Sequence, residues 1–270
     1  MPAGYRTLPS RAEAWHVSNL INDAGAGAVA GGAVPPPFAP STWHAAVADF
    51  YHGDRFDAGL VARAGIEAVI LKASTGVGSR DPAFAQRMKD SLARGMVLSA
   101  YAFGTDQHPG AEQWRYFRGV WDAACGSNSI DPRALPVWLD AERNAVGGTT
   151  MSRAKLLEWL AAAETDGYRA GIYSYASLLH GYFPDPLDLV GRFPLWLSWP
   201  GEIEHLVTAL PAPWKRRGLA LLQYSTALHG PTDGPRDTIT FPRGIQELGG
   251  CDRSAYPGTK DEMLAWWKRA

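Results

Sequence analysis

From Trp43 onward, short apolar runs alternate with segments of helical spacing. Residues 67–73 (EAVILKA) are almost uninterrupted in apolar character, the pattern of a strand buried on both faces. Similar runs predict strands over 45–51, 96–103, 136–141, 168–175, 194–199 and 219–225, with a weaker one over 249–252. Helical spacing predicts helices over 56–64, 82–94, 111–124, 152–165 and 261–269. Gly65 and Gly95 stand where C-caps would end the first two helices, and Asp81-Pro82 reads as an N-cap followed by a first helical residue. Trp114, Phe117, Val120 and Trp121 fall on one face of 111–124. Strand–helix alternation predicts a parallel sheet with right-handed crossovers. Seven firm strands and one weak one are enough to close an α/β barrel. The rival open sheet lacks a G-x-G-x-x-G turn after its first strand. No internal repeat is visible.

Length suits this arrangement, since one α/β barrel needs about 250 residues and the chain has 270. Residues 43–270 are expected to form a single barrel domain, and residues 1–42 an N-terminal extension or linker. That extension holds an Ala/Gly-rich stretch and the run Pro35-Pro36-Pro37, and residues 12–22 have the spacing of a short amphipathic helix. No segment approaches the roughly 18–20 apolar residues of a membrane span, and no basic residue leads into a Leu-like core as in a cleavable signal. A net charge of −1 argues against a general nucleic-acid binder. Two cysteines are too few for a disulfide framework. Eleven tryptophans point to a large core and to platforms for flat ligands such as sugar rings.

Catalytic groups of such barrels sit where strands run into their following loops. Few acids occupy those places: Asp49 ends the first strand, Asp140 and Glu142 end the fourth, and Asp252 lies beside the weak last strand. Residues i and i+2 of a strand share a face, so Asp140 and Glu142 bring two like charges together at the end of an apolar strand. Such a pair holds a proton on one carboxyl more tightly, as glycosidic bond cleavage requires. No His-x-His or cysteine cluster converges here, so neither metal nor cofactor is expected. Trp138 shares parity with both acids and should lie in the barrel interior beneath them. Trp199 ends a strand at the rim as a candidate sugar platform, and His52 follows Asp49 closely enough to touch a substrate.

With these residues in place, the chain resembles glycoside hydrolase family 25, the muramidases with a flattened TIM-like (β/α) barrel. The resemblance runs from about Ala45 to Thr259. It rests on Asp49-Phe50-Tyr51-His52-Gly53, Ala64-Gly65-Ile66, Lys72-Ala73, Asp81-Pro82-Ala83-Phe84 and Ser99-Ala100-Tyr101-Ala102-Phe103. Pro136 to Glu142, Ile172-Tyr173-Ser174-Tyr175, Pro194-Leu195-Trp196, Gln223-Tyr224-Ser225 and Asp252 to Gly258 continue it in the family's order. The resemblance implies cleavage of the β-1,4 bond between N-acetylmuramic acid and N-acetylglucosamine in peptidoglycan. It makes Glu142 the general acid and later base, and Asp140 the group that stabilises the transition state or orients the substrate's N-acetyl group. Asp49 and Asp252 would complete the acidic floor, and Tyr101, Tyr173, Trp196 and Gln223 would line the groove. The family's usual Glu after Lys-Ala-Ser is Thr75, its Tyr-His-Phe histidine is Ala102, its Asp-x-Asn asparagine is Ser254, and the loop after Asp49 is shorter. These departures are expected to reshape the groove. A non-catalytic wall-binding module and a glycosidase of another N-acetylated polymer such as chitin are the alternatives. The expected partner is the peptidoglycan glycan strand, met by a monomer acting at the bacterial wall after phage-type release or dedicated export.

Overall fold

Trp43–Phe50 forms β1, and its two neighbours come from distant parts of the chain. On one side it pairs in parallel with β2 (Ala68–Thr75), on the other antiparallel with β9 (Asp252–Pro257). Between those two run β4 (Val97–Phe103), β5 (Val137–Asp140), β6 (Ala170–Tyr175), β7 (Leu195–Ser198) and β8 (Leu221–Ser225). The order β1-β2-β4-β5-β6-β7-β8-β9 returns to β1, so eight strands close a barrel; β3 (Ser79–Arg80) only extends the end of β2. This computed structural model describes residues 43–143, 149–199, 205–215, 218–225, 245–248 and 250–268. The extension over 1–42 and the helix expected at 12–22 lie outside them.

One expectation is overturned here. The last strand spans Asp252–Pro257 rather than 249–252, and it runs antiparallel to both β8 and β1. An apolar run reports burial and carries no direction. A strand that starts at the pole where its predecessor ends needs no crossover, so the barrel is mixed rather than all-parallel.

The described helices are α1 (Ala58–Arg63), α2 (Phe84–Leu92), α3 (Gly110–Gly126), α4 (Arg153–Thr165), α5 (Ala176–Tyr182), α6 (Leu206–Ala209) and α7 (Lys260–Trp267). α2 begins at Phe84, two residues later than its sequence predicts, while the Asp81 carboxylate still accepts from Ala83 N–H (2.9 Å) at the helix entry and also accepts from His52. α5 follows β6 without a break, and no turn residue marks its start. α3 and α4 meet closely. A Cβ on Gly110 would lie 1.8 Å from the Lys155 carbonyl oxygen, and the Gly110 N–H donates to Glu158 Oε2 at 2.9 Å. Trp114 sits edge-on to Trp159 and Tyr168, with both centroid distances 4.9 Å, and seals that layer. No described helix is long and apolar enough to cross a membrane.

The pole where the parallel strands begin is closed by α7. A capping box of Thr259 and Glu262 starts this helix, and the buried Trp267 indole donates to the Leu98 carbonyl at 2.7 Å. The Arg169 guanidinium holds the carbonyls of Trp266 and Trp267. Trp138 fills the interior, 5.6 Å from Trp196, and Gly171 makes room for it, since a Cβ there would fall 2.4 Å from the indole. Both cysteines are buried and free.

Candidate active site

β5 ends on Asp140, and the chain stays extended for two residues more. Gly104 N–H donates to the Asp140 carbonyl at 2.8 Å, Ala141 N–H to the Tyr173 carbonyl at 2.9 Å, and the Ser174 hydroxyl to the Ala141 carbonyl at 2.6 Å. These bonds from both neighbouring strands keep Asp140 and Glu142 on one face, with Cα atoms about 6.6 Å apart by strand geometry. Asp140 is buried at 3% exposure, whereas Glu142 is half-buried. One carboxyl is therefore sheltered and the next reaches toward solvent.

The other two acids meet at the seam that closes the barrel. Asp49 on β1 stands directly opposite Asp252 on β9. Two like charges across an antiparallel pair repel. Gln223 on β8 answers this with its amide: Nε2 donates to Asp49 Oδ2 at 3.1 Å and reaches Asp252 Oδ2 at 3.5 Å. Its Oε1 accepts from the Tyr173 hydroxyl at 2.7 Å. Acceptors on one side and a donor on the other assign the amide orientation.

Tyr173 reports where the acids lie. Burial pushes its ionisation well above the ordinary phenol value, and the charges of Glu142, Asp140, Asp49 and Asp252 push it further. The hydrogen bonds agree: Gln223 links the Tyr173 hydroxyl to Asp49 and Asp252, and Asp140 is the register partner of Tyr173. Tyr101 also points inward, in register with Lys72 on one side and Trp138 on the other. Trp199 follows β7 at the rim, half-buried, and its N–H donates to the Gln223 carbonyl at 3.0 Å. His52 stands on the turn after β1 with its side chain 54% exposed.

Trp196 sits differently from its expected place on the groove wall. It is 1% exposed, its ring lies 4.3 Å from that of Tyr173, and its indole donates to Ser254 Oγ at 2.9 Å. Its inward parity carries it into the packed interior beside its register partner Tyr173, with Trp138 on its other side. Ser254, a departure from the family's asparagine, is thereby the acceptor that fixes this indole. Ala102 pairs with Leu139, whose parity is opposite to that of Asp140, so it faces the helix layer and leaves the groove unchanged. Thr75, half-buried and in register with Phe103, does stand on the groove wall.

Two residues escape the sequence reading. Lys72 faces inward, its ammonium 4.9 Å from the Phe103 ring centroid and 5.8 Å from that of Tyr51. Its signal is parity, since it stands two residues beyond Ile70, the register partner of Asp49. Asp81, read as a helix cap, accepts from the Ala83 N–H as a cap does, and its other oxygen is in addition the partner of His52. Chemically, a sheltered carboxyl beside a more exposed one, both on a ring of further acids, is suited to general acid–base work on a glycosidic oxygen.

The family model for glycosyl hydrolases family 25 matches residues 49–228, two-thirds of the chain. No curated protein matches it. Among solved structures, the bacterial lysozyme from Streptomyces coelicolor is 20% identical with a TM-score of 0.60, covering 82% of this chain and 95% of its own. The muramidase from Acremonium alcalophilum is 20% identical with a TM-score of 0.59, covering 82% and 97%. A family 25 lysozyme from Aspergillus fumigatus is 18% identical with a TM-score of 0.58, covering 85% and 99%. At such identities the structural likeness establishes the flattened barrel, and the match along the sequence establishes the rest: the chain belongs to glycosyl hydrolases family 25 and is a glycoside hydrolase.

Proposed function

We propose that this chain hydrolyses peptidoglycan at the β-1,4 bond between N-acetylmuramic acid and N-acetylglucosamine. The observation that carries the reading is the linkage at one end of the barrel, where Asp140 is the register partner of Tyr173, the Tyr173 hydroxyl donates to Gln223, and the Gln223 amide reaches both Asp49 and Asp252, with Glu142 two residues beyond Asp140. Glu142, the more exposed member of its pair, protonates the leaving glycosidic oxygen and then takes a proton from water. Asp140, sheltered at the end of β5, stabilises the positive charge that develops on the sugar ring or orients the substrate's N-acetyl group for attack. Asp49 and Asp252 add to the field that favours this charge, with the Gln223 amide between them. Tyr101, Tyr173, Gln223, His52 and Trp199 shape the groove above, and Trp196 braces it from below. The substrate places the enzyme at the bacterial cell wall, reached by phage-type release or dedicated export.

Turbidity loss of cell-wall suspensions tests the assignment. Glu142→Gln should clear at least roughly a hundredfold more slowly than wild type, and Asp140→Asn should be strongly impaired. Equal clearing by all three proteins overturns the roles. Mass spectrometry of the released fragments tests the bond, which should yield N-acetylmuramic acid at the new reducing ends; preferential release of chitin oligomers would move the substrate to that polymer.

A further inference from the structure

The turn after β1 is tied down by two side chains from the start of α2. Arg87 donates to the Tyr51 carbonyl at 2.5 Å and to the Asp54 carbonyl at 2.6 Å. Gly53 lets the turn fold over Tyr51, since a Cβ there would fall 2.5 Å from the phenol ring. Asp81 does the rest. Its side chain is 2% exposed, and its Oδ2 accepts from both His52 N–H at 2.8 Å and His52 Nδ1 at 3.1 Å. The His52 ring stands edge-on to Tyr51 at 5.4 Å and remains 54% exposed.

An ionised carboxylate only accepts, so the proton of the neutral imidazole sits on Nδ1 and the lone pair on Nε2. Burying a carboxylate is costly unless its oxygens meet donors, and two of the three N–H groups that meet this one belong to His52. This is more than an exposed surface histidine needs. We infer that His52 is a specificity-determining contact of the groove, accepting through Nε2 a hydrogen bond from a hydroxyl or amide N–H of a saccharide unit bound at the β1 end, and that Asp81 is the positioning residue that sets its tautomer. The identity of that saccharide rests on the function proposed above; the tautomer does not.

Nitrogen-15 NMR of the imidazole in the free protein is expected to show the Nδ1–H form, and Asp81→Asn to shift it toward Nε2–H. On soluble, uncrosslinked peptidoglycan strands, His52→Phe and Asp81→Asn should each raise KM about threefold to tenfold and leave kcat within about twofold. The double variant should be no worse than His52→Phe alone, which a merely structural Asp81 would not produce. Should Asp81→Asn fail to fold, His52→Phe and His52→Gln, altered only at an exposed ring, carry the test. An Nε2–H tautomer in wild type, or an unchanged KM in folded His52→Phe, overturns the inference while leaving the proposed function standing. A wild type that cleaves no strands defeats the proposed function instead; the contact is then judged by titrating chitooligosaccharide, where an unmoved Nε2 resonance overturns it.

Discussion

A buried phenol linked through Gln223 to Asp49 and Asp252, and paired in register with Asp140, is hard to ionise. The Tyr173 ionisation is raised first by burial and then by the surrounding negative charge, so its neutral form persists through the alkaline range. The raised ionisation keeps the hydroxyl a donor to Gln223 at neutral pH. Tyr173→Phe is expected to slow wall clearing about tenfold by freeing Gln223 to turn, while the two limbs of the pH–rate profile keep their places. Loss or displacement of the alkaline limb in the variant would assign that limb to Tyr173. The four acids are conspicuous in the sequence because so few acids stand at strand ends. Lys72 and Asp81 are hidden for opposite reasons: the lysine sits inside an apolar run, and the aspartate sits in a helix-start motif that accounts for it without any partner.

Among elements, the tightest joint is that between α3 and α4. The Lys155 carbonyl that would meet a Cβ at Gly110 is backbone within a helix and has nowhere to go. Gly110→Ala should cost about 3 kcal/mol in urea denaturation. A cost under about 1 kcal/mol would mean that the helices slide apart freely. β2, β4 and β5 are readable because burial on both faces leaves long apolar runs. α5 is not, since it continues from β6 with no turn residue between and few buried positions of its own. The direction of β9 is equally silent in the sequence, because pairing antiparallel or parallel asks the same of its side chains.

For the molecule as a whole, Glu67 clasps the two ends of the described chain. His44 on β1 lies 2.9 Å from one carboxyl oxygen, and Lys260 at the start of α7 holds the other. Partial burial would raise the Glu67 pKa, but the hydrogen bonds from Lys260 and His44 outweigh it and lower the value below its ordinary 4.5. The unfolded chain then takes up the proton first, so the stabilisation is present above about pH 4.5 and is lost as the pH falls through the lower, folded value. Glu67→Gln should lower Tm by about 1–2 °C at neutral pH, solvent screening keeping the effect small, and match wild type at about pH 2. An equal deficit at both pH values would place the cost in packing instead.

The seam between β1 and β9 also has a consequence in time. A ribosome delivers Asp252 203 residues after Asp49 (252 − 49), so a nascent chain carries Asp140 and Glu142 long before it carries the strand partner of Asp49. Long-range pairing of this kind is slow to form, because the loop it closes is about 200 residues long. On the roles proposed above, hydrolytic competence arrives with β9, and regain of activity during refolding becomes a clock for closure of the barrel.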